Sequence, residues 1–426
     1  MRQTNPQPNR TINVVRTGAE PFINEAGGEM SMRGSVTGSF INRGLCRGKT
    51  QLEFYVDAGE SLVNDPNGIM EPLYGDLRIF NLSGSSILNN GLWRVLAGKI
   101  LITGAMPDNY DPVDQSWTGG QLLVASPGQF CVLSPIARLR NFVFHCVNEL
   151  AQMCSSGGDP CPIAAIEHID PSSTLIIEDM PFAFNGDLDV EGTAMFINGA
   201  VVSAPGQVHS NNTLVVHNST FIPNSVLIGN GEIIVDNGAI LGNIVNNGGR
   251  VRPGQSPGRF VAGMNYTQDS NGSLEIEIGG LTPETEHDVL DVGQTATLGG
   301  TLEVVLLNGF EPAPTDSFTF LTAAAITGSF DNAPADPNGV GSVSFDRGTF
   351  DVTYSATSVT LGGFAAACPG DLNGDNAVSL EDLSILLANF GTTSGADPED
   401  GDLNGDGTVD LADLAMMLTL YGTVCN

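Results

Sequence analysis

The chain has 426 residues, enough for two or three domains, and its 48 acidic against 16 basic residues give a formal net charge of −32 at pH 7. Phosphate binding needs clustered Lys and Arg, so nucleic acid is excluded as a partner; lysine occurs only at Lys49 and Lys99. Charged residues make up only 15% of the chain while glycine fills 53 positions, which suits an extended, turn-rich all-β architecture.

Residues 1–35 carry no clear pattern and are read as an unassigned or flexible lead. The opening MRQTNPQPNR lacks the apolar core of a secretory signal. No stretch approaches the roughly 18 apolar residues that span a bilayer, so no transmembrane segment is expected.

Residues 36–265 read as a β-solenoid. Between Gly186 and Phe260, short β-branched or apolar runs alternate with Asn-Gly, Gly-Asn and Pro-Gly turns. Their centres fall at Leu188, Met195, Val201, Val208, Leu214, Phe221, Leu227, Ile233 and Ile240. Every third centre lies 19 or 20 residues on, the rhythm of three short strands per coil of a parallel β-helix. The run LRIFNLSGSSILNNGLWRVLAGKILITG from Leu77 has the same texture and places coils upstream.

Two segments interrupt this texture. In PDNYDPVDQSW, Asp108, Asp111 and Asp114 stand beside Tyr110 and Trp117, whose aromatic faces are candidates for stacking on sugar rings. In 137–162, Phe142, Cys146, Leu150 and Met153 have helical spacing, which predicts a helical, cysteine-containing insertion. His145, Cys146, Cys154, Cys161 and His168 match no standard zinc spacing, so a disulfide-pinned helix is the preferred reading. The pairing of Cys46, Cys131, Cys146, Cys154 and Cys161 is left open. Asp187, Asp189 and Glu191 alternate along one strand and share a face, as catalytic carboxylates or an ordinary solvated face would.

From about residue 266 the runs lengthen (LEIEIGG, TLEVVLLNGF, SFTFLTAAAI, FDVTYSA), predicting a β-sandwich-like cap over 266–364. A solenoid needs a cap, because its open end exposes core and an unpaired strand edge. The stretch from Gly242 to Gly280 and the following LGGTLEVVLLNGF resemble the end of autotransporter-like β-helical passengers. That resemblance covers Gly229 to Asn332 and implies a right-handed β-helix closed by a β-rich cap. Ala365–Ala367 then read as a linker.

The last 59 residues, Cys368 to Asn426, carry the most specific chemistry. DLNGDNAVSLED from Asp371 to Asp382 recurs 31 positions on as DLNGDGTVDLAD, Asp402 to Asp413. The D-x-N-x-D spacing puts oxygen side chains at alternate positions of a tight turn, which suits a hard cation preferring six to eight oxygens. The expected ligands are Asp371, Asn373, Asp375, the Ala377 carbonyl, Ser379 and Asp382 in the first loop. In the second they are Asp402, Asn404, Asp406, the Thr408 carbonyl, Asp410 and Asp413, giving two calcium ions in all. Loop position six favours Gly, which Gly407 supplies and Asn376 does not, so the first site is expected to be the weaker.

An apolar run follows each loop: Leu380, Leu383, Leu387 and Phe390, then Leu411, Leu414, Leu418 and Tyr421, stopping at Gly391 and Gly422. That spacing predicts two amphipathic helices. Cys368 and Cys425 bracket the module, and a disulfide between them would staple a segment too short to bury much core. Its 11 acidic and no basic residues couple folding to metal uptake.

A duplicated loop and helix with Asp at position twelve resembles the type I dockerin module, which in cellulose-degrading assemblies docks onto a cohesin domain. The resemblance implies calcium and a cohesin-like or other surface partner. Family dockerins choose cohesins largely through loop positions ten and eleven, here Leu380 and Glu381, then Leu411 and Ala412. Calcium loops and candidate disulfides point outside the cytosol.

The expected fold is therefore mainly β, a parallel β-solenoid with a cap and a small α-helical calcium-loop domain. The expected function is a secreted or cell-surface, non-catalytic protein assembled through that domain. A carbohydrate-active enzyme (polysaccharide lyase or glycoside hydrolase) and a glycan-binding adhesin are the alternatives, with polysaccharide the ligand of either.

Overall fold

The computed structural model describes residues 14–15 and 21–424, except 73–74, 82–83, 97–98, 105, 126–128, 133–135, 137, 141, 148–151, 156–161, 255–256 and 376. The fold is mainly β, with 53% strand against 7% helix. Among the described residues, strands from successive coils stack mostly in parallel into sheets of 18, 17 and 4 strands, a β-solenoid. One inward column shows the principle: Leu188, Val208, Val226, Ile244, Tyr266, Ala296 and Ile326 are register partners in consecutive coils.

The strands alternate buried and half-exposed residues, as in Asp76–Asn81 and Thr174–Glu178, so apolar side chains at one parity meet inside the coil. In-register stacking then lays like on like. Phe22 stacks on Phe40 at 5.6 Å, and Trp117 packs between Trp93 and Phe142 at 6.2 and 5.8 Å. Asn24, Asn42, Asn64 and Asn89 are buried in successive coils, each side-chain amide donating to the next at 2.7–2.8 Å. Such a ladder satisfies polar groups that burial would otherwise leave costly. Coils approach closely at these corners: a Cβ on Gly91 would lie 2.3 Å from the Gly68 carbonyl.

Long strands turn corners through register breaks. In Val201–Ser210 the break falls between Ala204 and Gln207, so one strand serves two faces of its coil.

Four expectations are corrected. Coils begin before residue 36, since Phe22–Asn24 and Glu29–Thr37 already pair in parallel with Phe40–Asn42 and Leu45–Val56. The expected helix over 137–162 is absent from its described residues: Arg138–Arg140, Val143–Val147 and Gln152–Ser155 are strands. Phe142 and Cys146 satisfy a period of two as well as one of 3.6. Phe144, buried beside Phe142 on the same parity, decides for the strand. Of the residues that suggested the helix, Leu150 lies outside the described residues.

Third, parallel pairing continues past residue 266 as far as Val289–Leu298 against Ser317–Gly328. Only then does it become antiparallel, with Ser317–Gly328, Ser358–Ala366, Gly348–Tyr354 and Val340–Phe345 in that order. The cap is therefore a single antiparallel extension of the 17-stranded sheet and not a sandwich. Alternation in LEIEI reports a strand with two unlike faces, whichever way its neighbours run. Phe318, Phe345, Phe350 and Phe364 pack together within this cap. Fourth, Ala365 and Ala366 end the last strand and are not linker.

Candidate metal centre

Two helices follow the cap, α1 (Leu380–Asn389) and α2 (Leu411–Leu420). Each opens on a capping box. The Ser379 side chain accepts from the Glu381 N–H and that of Asp410 from the Ala412 N–H, while Asp382 and Asp413 reach back to the cap residues. The residues expected at loop positions nine and twelve therefore also start the helices.

The loops are built alike. Asp371 Oδ1 accepts from the Gly374 and Asp375 N–H groups, and Asp402 Oδ1 from those of Gly405 and Asp406. Asn373 Oδ1 accepts from Asp375, and Asn404 Oδ1 from Asp406, both at 2.9 Å. Asp382, fully buried, holds both ends of its loop: Oδ1 accepts from Leu372 and Asn373 at 2.8 and 3.1 Å, and Oδ2 from Ser379 at 2.7 Å. Asp413 does the same with Leu403, Asn404 and Asp410. Burial opposes ionisation of Asp382, but the N–H groups of Ser379, Leu372 and Asn373 together hold its carboxyl below the ordinary range. Hydrogen bonds from Thr408 and Asn404 hold Asp406 low as well.

Oxygens of Asp371, Asp375 and Asp382 lie within 4.8 Å of one another. These are carboxylate oxygens, hard donors of the kind calcium takes, and among the described residues the acidic side chains of the second loop form no such group. Gly407 has φ of +80°, the left-handed turn expected at position six, and Asn376 lies outside the described residues. Sequence reasoning missed Gly374 and Gly405, at φ of +75° and +73°, which make a second left-handed turn at loop position four. Their identity in both copies was the available signal.

The two halves lock reciprocally. Val378, leaving the first loop, donates to the Thr423 carbonyl and accepts from Gly422 beyond α2. Val409, leaving the second, donates to Thr392 and accepts from Gly391 beyond α1. Every residue of one pairing sits 31 positions from its counterpart, so the module has an internal two-fold repeat in structure as well as sequence. Its small core is Val378, Leu386, Ala396, Val409 and Met417, separate from the solenoid core.

Residues 369–419 match the family model described as Dockerin type I domain. This segment is a dockerin domain. The match leaves the solenoid untouched, and no curated protein matches the chain.

The dockerin corrects the expected helix faces. Leu383 and Leu414 do pack against its core, but Leu380, Leu387 and Phe390 are exposed, as are Leu411, Leu418 and Tyr421. Asp382 with Leu386, and Asp413 with Met417, form the buried side. An apolar stripe at helical spacing identifies an interaction face without saying whether its partner lies in the same chain.

The solenoid's candidate sites fare differently. Trp117 is 1% and Tyr110 8% exposed; both belong to the core and offer no face to a sugar. Asp111 and Asp114 accept from the Val113 and Ser116 N–H groups and shape the adjoining turn. Asp187 accepts from the Gln207 N–H, and Asp189 lies between His168 Nδ1 at 3.0 Å and His209 Nδ1 at 2.8 Å. His145 pairs with Glu178, and His217 with Asp236. These histidine–carboxylate pairs were not foreseen, although His209 and Asp236 follow Asp189 and His217 by one coil length.

Cys46 is buried and free, and Cys425 lies outside the described residues, as do the side chains of Cys131, Cys146, Cys154 and Cys161. No helix among the described residues is long and apolar enough to cross a membrane.

Proposed function

We propose that this is an extracellular or cell-surface β-solenoid, non-catalytic, held in an assembly by a calcium-dependent contact between its dockerin and a cohesin. The carrying observation is the pair of like-built oxygen-lined loops, each positioning a helix whose exposed side is apolar. Two calcium ions, held by Asp371, Asn373, Asp375, Ala377, Ser379 and Asp382 and by Asp402, Asn404, Asp406, Thr408, Asp410 and Asp413, would offset part of the charge of a segment with no basic residue. A Cys368–Cys425 disulfide would tie its ends. The second loop, with Gly407 at position six, would be the tighter site.

Leu380 and Leu411, where family dockerins select their cohesin, are 67% and 73% exposed. A partner matching them presents apolar surface, and binding should depend little on salt. The non-catalytic reading is supported by Asp170, Asp187, Asp189 and Asp236, which are engaged with Arg, backbone N–H and His groups.

One observation favours the adhesin alternative. A groove of about 430 Å³ crosses successive coils and is lined by Asn218, Thr220 and Asn237, with Arg259 and Glu284 also in its wall. Asn198, Asn218 and Asn237 repeat a left-handed corner at φ of 55°, 47° and 47°, giving the coils a periodic polar edge suited to an extended glycan.

The test is capture of the full chain by a cohesin panel, in calcium and in EDTA, alongside turnover of acidic and neutral polysaccharides. Calcium-dependent capture without turnover supports the assembly reading. Turnover lost on altering the groove would replace it.

A further inference from the structure

The outward residues of Thr213–His217 and Glu232–Asp236 that are buried are apolar, Val215 and Ile234, whereas in the strand Ser273–Ile278 the buried outward residues are acidic, Glu275 and Glu277. The chain's own return lies beside Glu277. Residues 279–288 fold back so that His287 bridges Ile278, Gly279 donates to the Glu286 carbonyl, and Asp288 donates to that of Glu277. The Asp288 side chain, 1% exposed, then accepts the Glu277 N–H through Oδ2 and the Gly258 N–H through Oδ1, both at 2.8 Å. One carboxylate thus fastens the returning segment to two coils.

The charges beneath this segment do not balance. Arg252 Nε meets Glu275 at 2.7 Å, and its other nitrogens approach Glu232 at 3.4 Å and Glu277 at 3.5 Å. Arg250 contacts Glu275 and Glu303. Five carboxylates (Glu232, Glu275, Glu277, Asp288 and Glu303) therefore face two guanidiniums, an excess of three negative charges if all ionise. Glu277 Oε2 is buried with no hydrogen-bond partner among the described residues.

Nearby groups do not redress this. Burial lowers the His287 pKa and so disfavours its charged form, Glu286 is turned to the Thr282 N–H, and Arg259 is taken by Asp291 and Glu284. An ionised carboxylate is not sustained in such surroundings without a counter-charge.

We propose that the cluster is a proton-held latch: one proton retained by Glu277 and Asp288 keeps residues 279–288 folded over the coil end, and its loss releases them. Burial and the neighbouring Glu277 and Glu275 outweigh the two N–H donors and push the Asp288 carboxyl up to about 8. Burial raises Glu277 also. The sign follows: the folded segment binds a proton that the opened one releases, so closure weakens as pH rises and levels off above about 8.

Hydrogen exchange of the full chain in EDTA tests this, with rates corrected for intrinsic exchange. Protection across 279–288 should fall from about pH 6 to about pH 8 and then level off, no more steeply than about tenfold per pH unit, as a single linked proton allows. The coil strands Thr213–His217 and Glu232–Asp236 should not follow. Glu277→Gln, which removes one charge and supplies an N–H donor, should make the fall smaller and move it to lower pH. Asp288→Asn, which removes the raised carboxyl itself, should make the profile flat and serves also should the first variant misfold. A flat wild-type profile, or an equal fall in a folded variant, overturns the latch. Recovery of protection at high pH on adding calcium chloride would overturn it too, because the cluster would then hold a cation.

Discussion

Asp382→Ala tests most directly how the dockerin is built. The carboxylate accepts three backbone N–H groups, from Leu372, Asn373 and Ser379, and is buried while doing so. Leaving each donor without its acceptor costs about 1 kcal/mol or more, hence about 3 kcal/mol before any lost metal contact. A module with five buried apolar residues in its core has about 3–5 kcal/mol in total. The substitution should therefore remove most of the dockerin's intrinsic stability and lower its transition markedly even in saturating calcium. Asp382→Asn retains one acceptor oxygen and should cost about 1–2 kcal/mol, leaving a folded but weaker domain. Differential scanning calorimetry of the full chain reads both, since the dockerin and solenoid have separate cores and should give separate transitions. Asp413→Ala should reproduce Asp382→Ala through its own three donors. An unchanged dockerin transition in Asp382→Ala would refute the view that position twelve ties each loop to its helix.

Further outcomes follow from the same geometry. Chelation should abolish the dockerin transition and leave that of the solenoid in place; each site saturated at 100 times its dissociation constant adds about 2.7 kcal/mol, so the transition should climb with calcium. Leu387→Glu with Leu418→Glu should change stability by less than about 0.5 kcal/mol, both being exposed, yet weaken cohesin capture in a pull-down. Trp117→Ala should cost the solenoid about 3–5 kcal/mol by denaturant unfolding, whereas a surface sugar platform would cost almost nothing. Burial pushes the Cys46 thiol up to about 12 from its ordinary 9.0, so it should resist alkylation at pH 8 until the coils unfold. The unfolded chain releases that proton first, so stability should decline as pH rises above about 9.

The coil period was legible in the sequence, but which residue of each run points inward was only partly so. Of the run centres, Leu188, Val208, Leu214, Phe221, Ile233 and Ile240 are inward, while the inward neighbours of the other three are Ala194, Val202 and Val226. Runs such as VV and VLI carry apolar residues at both parities. Only the stack of coils separates Val201, 45% exposed, from Val202, which is buried. The same ambiguity made a helix of 137–162, where a spacing of four serves both periods.

The dockerin was legible because its chemistry is local: a loop that wraps a cation must place oxygens at fixed offsets along the chain. The solenoid's chemistry is not local. Asp189 acquires its two histidines from coils 21 residues before and 20 after, and Asp288 meets Gly258 across 30. Such contacts become visible only once the coil length is known to the residue. Given that length, the histidine–carboxylate pairs and the acidic cluster under residues 279–288 could have been read as columns. The failed sugar site makes the complementary point. In PDNYDPVDQSW the carboxylates shape a surface turn while Tyr110 and Trp117 turn inward to pack on the neighbouring coils. A motif drawn from one strand mixes its two faces, and a binding surface on a solenoid has to be sought down the coils at one parity.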